Sequence, residues 1–316
     1  MAIKSLKSSS ISNNVFYRSM LAGNDPNGVF VVGQQEFSLS TTFVVPNKVV
    51  SISLVAVGAG GRGSISNDSS YQTVYGGMGG GLSYSNDLVV TPGESLTIVI
   101  GAAAALPSTA TGNYLGTAGG AGGFTQVLRG STVLLSAQGG GGGQGGGAAS
   151  TSRPNGTAVG QVSFIGGVGG TGVSGGAAAA GYSSNGPNSK NSEGANTGNS
   201  GSGGSGSSGA GPSLGGNGSV SSGGRGGGVG LRGQTNSGSA PSTSGGFQAN
   251  DGLDGSTSLS GTAGGGTAFG QSGAGQWAFN SGAAFYSRSQ GSPGGVRIIW
   301  GPNRAYPATN TFDMEG

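Results

Sequence analysis

The chain has 316 residues and a mass of 29.9 kDa, and 76 of them are Gly, about a quarter where an ordinary chain has roughly 7 %. Only 33 % are hydrophobic and 7 % charged, with a formal net charge of +3, which leaves little material for a large core or a strongly charged surface. There is no His and no Cys, so imidazole catalysis, His or thiolate metal sites, thiol nucleophiles and disulfides are all excluded.

Gly at this level without an obvious period is the composition of a flexible linker. Disordered chains are normally held open by charge, and here 13 basic and 10 acidic residues are spread thinly. The basic residues do not gather beyond Lys4/Lys7 and Arg225/Arg232, so no phosphate-tracking stripe forms and no nucleic-acid partner is expected. No apolar run approaches the roughly 18 residues of a membrane span, and the opening Met1-Ala2-Ile3-Lys4 lacks the apolar core of a signal peptide. Membrane insertion and classical secretion are therefore not expected.

Residues 1–28 are polar, with Lys4, Lys7 and Arg18 interleaved with Ile3, Leu6, Ile11, Val15, Phe16 and Tyr17. This segment reads either as an arm that docks on another protein or as a frayed terminus. The strand signals follow. The run 37–45 leads through Pro46-Asn47-Lys48 to 49–57, where Val50, Ile52, Leu54 and Ala56 share one face, and the pair reads as a β-hairpin. The run 82–90 is followed by the turn Thr91-Pro92-Gly93-Glu94 and by 95–100, with Leu96, Ile98 and Ile100 on one face. A third pair, 124–128 and 132–137, flanks Arg129-Gly130-Ser131, and a last apolar strand runs from Val296 to Trp300. No capped helical period is present, and Gly at this density would cost a helix about 1 kcal/mol per residue relative to Ala.

These strands predict an all-β fold: a small antiparallel β-sandwich built from 29–138 and 294–301, its last strand supplied from far along the chain. Long glycine-rich insertions separate the strands, a shorter one at 58–81 and a long one at 139–293. Residues 1–50 hold three Gly and 201–250 hold nineteen. From 203 to 233, nine of the eleven positions in one three-residue register are Gly. Gly also recurs at 166, 169, 172 and 175, and at 261, 264, 270 and 273. Three residues per turn is the polyproline-II period, and a bare Gly edge lets such helices approach closely. With 11 Pro in the chain and frequent breaks in the repeat, a collagen triple helix is disfavoured. The insertions are expected to form a bundle of polyglycine-II helices, whose N–H and C=O groups bond to neighbouring helices. The apolar residues within them, Val162, Phe164, Ile165, Leu214, Val229, Leu231, Phe247, Phe269, Trp277, Phe279, Phe285 and Tyr286, are read as filling bundle edges or packing on the sheet.

The ends of the chain carry a specific resemblance. The opening Met1-Ala2-Ile3-Lys4-Ser5-Leu6-Lys7 with Arg18-Ser-Met-Leu21, the strand Phe43-Val-Val-Pro46 leading to Ser51-Ile-Ser-Leu-Val-Ala-Val-Gly58, the closing Gly294-Gly-Val-Arg-Ile-Ile-Trp-Gly301 and the tail Arg304-Ala-Tyr-Pro-Ala-Thr-Asn-Thr311 resemble glycine-rich virion structural proteins of tailed phages, of the marine cyanophage type. In architecture the middle resembles the polyglycine-II adhesin tips of T-even tail fibres. The resemblance implies a fibre, tail or capsid-surface component of the virion. Its partners would be other virion proteins, copies of itself and, for an adhesin, the host cell surface. It implies neither an enzyme nor a cofactor.

Candidate assembly contacts are Leu6, Lys7, Phe16, Tyr17 and Arg18 in the arm, with Tyr306 and Phe312 in the C-terminal tail 302–316. The two tail aromatics can pack on the sandwich or on a neighbouring subunit. Chemical motifs are sparse. Gly-x-Gly-x-x-Gly matches arise from composition alone, and no Gly-Lys-Ser/Thr phosphate loop exists. Asn250, Asp251 and Asp254 fit an Asx turn better than a cation site, and Asp313/Glu315 lie in the tail. Three classes of function remain: a passive virion fibre, a receptor-binding adhesin contacting a host glycan or outer-membrane protein, and an ice-binding or silk-like extracellular protein. The irregular residues between the Gly positions disfavour the third.

Overall fold

A computed structural model of the chain describes residues 31–66, 75–105, 118–143, 157–170, 175–186, 188, 220–222, 226–231, 233, 269–272, 276–278 and 290–307. The described residues form an all-β structure with no helix. The strands are β1 (Gly33–Phe37), β2 (Thr41–Val44), β3 (Ser51–Val57), β4 (Ile65–Ser66), β5 (Leu82–Val89), β6 (Ser95–Val99), β7 (Thr125–Arg129), β8 (Thr132–Ala137), β9 (Val162–Phe164), β10 (Val220–Ser222), β11 (Gln276–Ala278) and β12 (Gly295–Trp300). Two antiparallel sheets dominate, a five-stranded one ordered β1-β12-β3-β5-β9 and a four-stranded one ordered β2-β6-β7-β8. A short third sheet, β10-β11-β4, pairs β11 with β4 in parallel. The period-three stretch 203–233 lies for the most part outside the described residues.

Alternation along the strands builds the core between the two large sheets. Phe43 from β2, Ile52, Leu54 and Ala56 from β3, Leu96 and Ile98 from β6, Val127 from β7, Leu135 from β8, and Val296 and Ile298 from β12 form one buried cluster. The expected faces of 49–57 and 95–100 therefore hold, except that Val50 precedes the strand and is 62 % exposed. The pairing differs from the expected hairpin. The turn at 46–48, closed by the Val49 N–H donating to Pro46 C=O at 3.1 Å, carries the chain from one sheet to the other. The turn at 91–94 does the same between β5 and β6. A turn signal specifies reversal, not the partner, and β3 finds its partners in β5 and in β12 from the far end of the chain. The β7–β8 pair is a true hairpin, turning through Gly130 at φ 58°.

The five-stranded sheet is buried on both faces, so β3 is apolar nearly throughout. Its second face, carrying Val55, Val57, Leu82, Tyr84 and Ile299, packs against Ala179, Ala180, Tyr182, Val229, Leu231 and Tyr306. Val162, Phe164 and Phe269 border this cluster; of these, Phe269 packs on the sheet as expected, whereas Val162 and Phe164 belong to β9 and so form the sheet's edge strand.

The described glycine-rich segments join these sheets at a common end: 58–64 after β3, 75–81 before β5, 118–123 before β7, 138–143 after β8 and 290–294 before β12. Their backbones bond to one another outside any strand, and donors to a given neighbour recur at every third residue. Gly58, Gly61 and Ser64 donate to the carbonyls of Gly81, Met78 and Tyr75 at 2.8–2.9 Å. Ala59 and Arg62 donate to Gly123 and Gly120, and Gly60 donates to Ser292. Within 75–81, Met78 and Gly81 donate to Gly141 and Gln138, Gly79 to Gly167 and Gly80 to Gly270. Successive residues thus address different neighbours, and the segments run both antiparallel (58–64 with 75–81) and parallel (Ala177 and Ala180 donating to Gly77 and Gly80). The spacing leaves no room for side chains at the contacts: a Cβ on Gly61 would overlap the Gly141 carbonyl, and one on Gly79 the Ala178 carbonyl.

Candidate functional site

Tight turns occupy the opposite end of the sandwich. The turn 46–48, the end of β5 and the turn after β12 converge there around a cavity of about 750 Å³. Its apolar wall includes Val49, Ile52, Ile299 and Trp300, and its polar groups include Lys48, Asp87, Asn303 and Arg304. The Trp300 ring is held by Phe43, centroids 5.8 Å apart.

The backbone on this rim has a distinctive conformation. Lys48 (φ 68°), Asp87 (φ 54°) and Asn303 (φ 60°) are the non-glycine residues with positive φ among the described residues, and all three line the cavity. Asn and Asp enter the left-handed region more readily than other side chains, whereas Lys is unusual there. Asp87 owes its conformation to a β-bulge: Ile52 pairs with Leu88 but Leu54 with Ser85, leaving Asn86 and Asp87 opposite Ser53. The Asp87 N–H donates to Ser53 Oγ at 3.4 Å, and Ser53 Oγ donates to the Arg304 carbonyl at 3.1 Å, tying the bulge to the last turn. Asn86 adds a second tie, its Nδ2 donating to the Tyr306 carbonyl at 2.6 Å while its Oδ1 accepts the Tyr306 N–H at 2.8 Å.

Behind the rim lies a buried polar cluster. Arg297 is fully buried on β12 and Arg304 nearly so. Gln34 Oε1 accepts from both guanidinium groups at 2.5 Å, Arg304 also donates to the Gly33 carbonyl, and Arg297 Nε lies 3.3 Å from Glu36 Oε1. Buried cations persist only when so engaged. Tyr182 Oη donates to the Gly230 carbonyl at 3.0 Å and Tyr306 Oη to that of Leu231 at 3.3 Å. Burial above all raises both phenols above the ordinary value of 10.0. The neighbouring Tyr306 raises Tyr182 further, while the Arg297 charge lowers both.

Of the assembly contacts expected from the sequence, Leu6, Lys7, Phe16, Tyr17, Arg18 and Phe312 lie outside the described residues, as do Asn250, Asp251, Asp254, Asp313 and Glu315. Tyr306 packs on the sheet of its own chain and is 3 % exposed. The cavity residues escaped the sequence reading. Lys48 enters it only as part of a turn, and Gly301-Pro302-Asn303 is a turn signal that could have marked the rim. Among the described residues no three His, Cys, Asp or Glu side chains group as metal ligands, and no helix is long and apolar enough to cross a membrane.

No protein-family model matches the chain, and no curated protein matches it.

Proposed function

We propose that the chain is a structural component of a phage virion, on a fibre, the tail or the capsid surface. In this reading the β-sandwich is a base and the glycine-rich segments form a polyglycine-II bundle displayed outward, in assemblies with copies of itself and other virion proteins. The role is mechanical and adhesive rather than enzymatic. The observation that carries the reading is the threefold recurrence of backbone donors, Gly58, Gly61 and Ser64 to one neighbour, Ala59 and Arg62 to a second and Gly60 to a third. Extended helices lying side by side, with no internal hydrogen bonds, can satisfy their amides in this way. The resemblance of the two chain ends to virion proteins of tailed phages supplies the setting.

Electron microscopy of purified virions labelled with antibody against residues 150–290 tests the placement. Label on a fibre, the tail or the capsid surface is expected, and particles that lack the protein would overturn it. Vibrational spectra of the purified chain test the bundle, which should add a polyproline-II signature to that of the sheets. A spectrum accounted for by sheet and coil alone would remove it.

A second reading, a receptor-binding adhesin, is favoured by the polarity of the molecule, with glycine-rich segments at one end and turns at the other. Host-cell binding by the purified protein that survives deletion of residues 150–290 would sink the version in which the bundle makes the contact.

A further inference from the structure

We propose that the cavity at the turn end of the sandwich binds a neutral saccharide of one or two rings. This inference rests on the sandwich alone and does not depend on the bundle or on the virion setting.

Three observations combine. First, the cavity of about 750 Å³ falls in the roughly 300–1,000 Å³ range of small-molecule sites and sits where turns from a rigid scaffold meet. Second, the non-glycine residues held at positive φ among the described residues are all on its wall, two from separate turns and one from the bulge in β5. Left-handed backbone at a bulky residue costs about 1–2 kcal/mol, and such conformations gather at binding sites because the surrounding structure holds them there. Here the bulge at Asp87 and the Ser53–Arg304 bond supply that restraint.

Third, the lining chemistry selects among ligand classes. Lys48 offers donors, Asp87 acceptors and Asn303 both, while Trp300 and the exposed Val50 give the wall an apolar part. An anion would meet the Asp87 carboxylate, and a cation would meet Lys48 and Arg304. A wholly apolar ligand would strip water from the polar groups without replacing it. A sugar ring suits the mixture: its C–H face covers the apolar wall, and its hydroxyls both donate and accept. Arg304 is buried and already donates to Gln34 and the Gly33 carbonyl, so the exposed charges on the wall are Lys48 and Asp87, which oppose one another and favour no ionised ring.

The positive φ values supply the test. Glycine adopts this conformation without strain, so Lys48→Gly, Asp87→Gly and Asn303→Gly each delete a side chain and leave the rim backbone in place. Saturation-transfer NMR on the full chain would be run against methyl glycosides of glucose, galactose, mannose and N-acetylglucosamine, with glucuronate and glucosamine as charged comparators. At least one neutral glycoside should bind with a dissociation constant near 1 mM. The triple glycine variant should lose at least about tenfold in affinity with its melting temperature not lowered. Where the triple variant melts early, the single Asn303→Gly variant decides, and weakened binding at an unchanged melting temperature is expected. No transfer from any neutral glycoside, unchanged affinity in the deciding variant, or preference for a charged comparator would each overturn the proposal.

Discussion

The rings of Tyr182 and Tyr306 stack with centroids 5.9 Å apart and planes 10° from parallel. One comes from the glycine-rich segment that runs beside the five-stranded sheet and the other from the turn that follows β12. Tyr84 of β5 lies 6.3 Å from each. Three phenols thus lock together the sheet, a glycine-rich segment and the last turn. Replacing Tyr306 by Ala should cost about 3–5 kcal/mol, the range for truncating a buried aromatic. Tyr306→Phe, which keeps the ring and loses the hydroxyl's bonds to the Leu231 carbonyl and to Arg297, should cost less, about 1–2 kcal/mol. Equilibrium urea unfolding of the two variants checks the difference.

The same two phenols make stability depend on alkaline pH. Their folded pKa values lie above the ordinary value of 10.0. Below pH 10 both the folded and the unfolded chain hold these protons, and stability is insensitive to them. Above it the unfolded chain releases protons that the folded chain retains, so stability falls by up to about 1.4 kcal/mol per pH unit for each phenol until the folded groups also titrate. Unfolding free energies measured between pH 9 and 12 should show this slope, and a Tyr182→Phe, Tyr306→Phe double variant should reduce it, leaving the part that comes from Tyr75 and Tyr84, which burial also raises.

Glycine is required for space at one kind of position and for conformation at another. Gly79→Ala places a methyl group on the Ala178 carbonyl, and backbone cannot move aside as a side chain can. A loss of about 3 kcal/mol or more is expected, with faster hydrogen exchange at Gly79 and Gly80, which donate to Gly167 and Gly270. Gly93 sits at φ 81° with nothing near its Cβ position, so Gly93→Ala should cost only about 1–2 kcal/mol of backbone strain. Thermal melts and exchange rates on the two variants separate the two requirements.

Arg297 is a charge inside the second core, engaged by Gln34 and by Glu36, which remains partly exposed. Arg297→Ala removes the cation and leaves Gln34 with one of its two guanidinium partners, and should cost about 3–5 kcal/mol. Glu36→Gln removes the acid at its solvent-facing side and should cost about 1 kcal/mol or less. Chemical denaturation at low and high salt checks the pair: only the smaller effect should shrink as salt rises.

Much of the sandwich was legible because alternation is a local signal. Leu96 and Ile98, or Val296 and Ile298, declare an extended chain with one buried face whatever the partner. Partners were not legible. Pro46-Asn47-Lys48 and Pro92-Gly93 announce reversals, yet both carry the chain between sheets, and nothing local tells β3 that its neighbour will be β12. The burial of β3 on both faces hints at a second layer, but that layer is built by Ala179, Ala180 and Tyr182, whose sequence reads as low complexity. The cavity was the least legible part. It depends on Lys48 taking a left-handed conformation and on an extra residue in β5, both consequences of tertiary pairing rather than of the residues themselves.

The hydrogen-bond spacing of the glycine-rich layer also governs how its length can change. Adding one or two residues to 58–64 would turn every later amide toward a different neighbour. Adding three restores the original facing, because donors to a given neighbour recur at every third residue. Growth or shortening of such a layer therefore proceeds in triplets, matched between adjoining segments, and size variants should differ in multiples of three while the sandwich below stays the same.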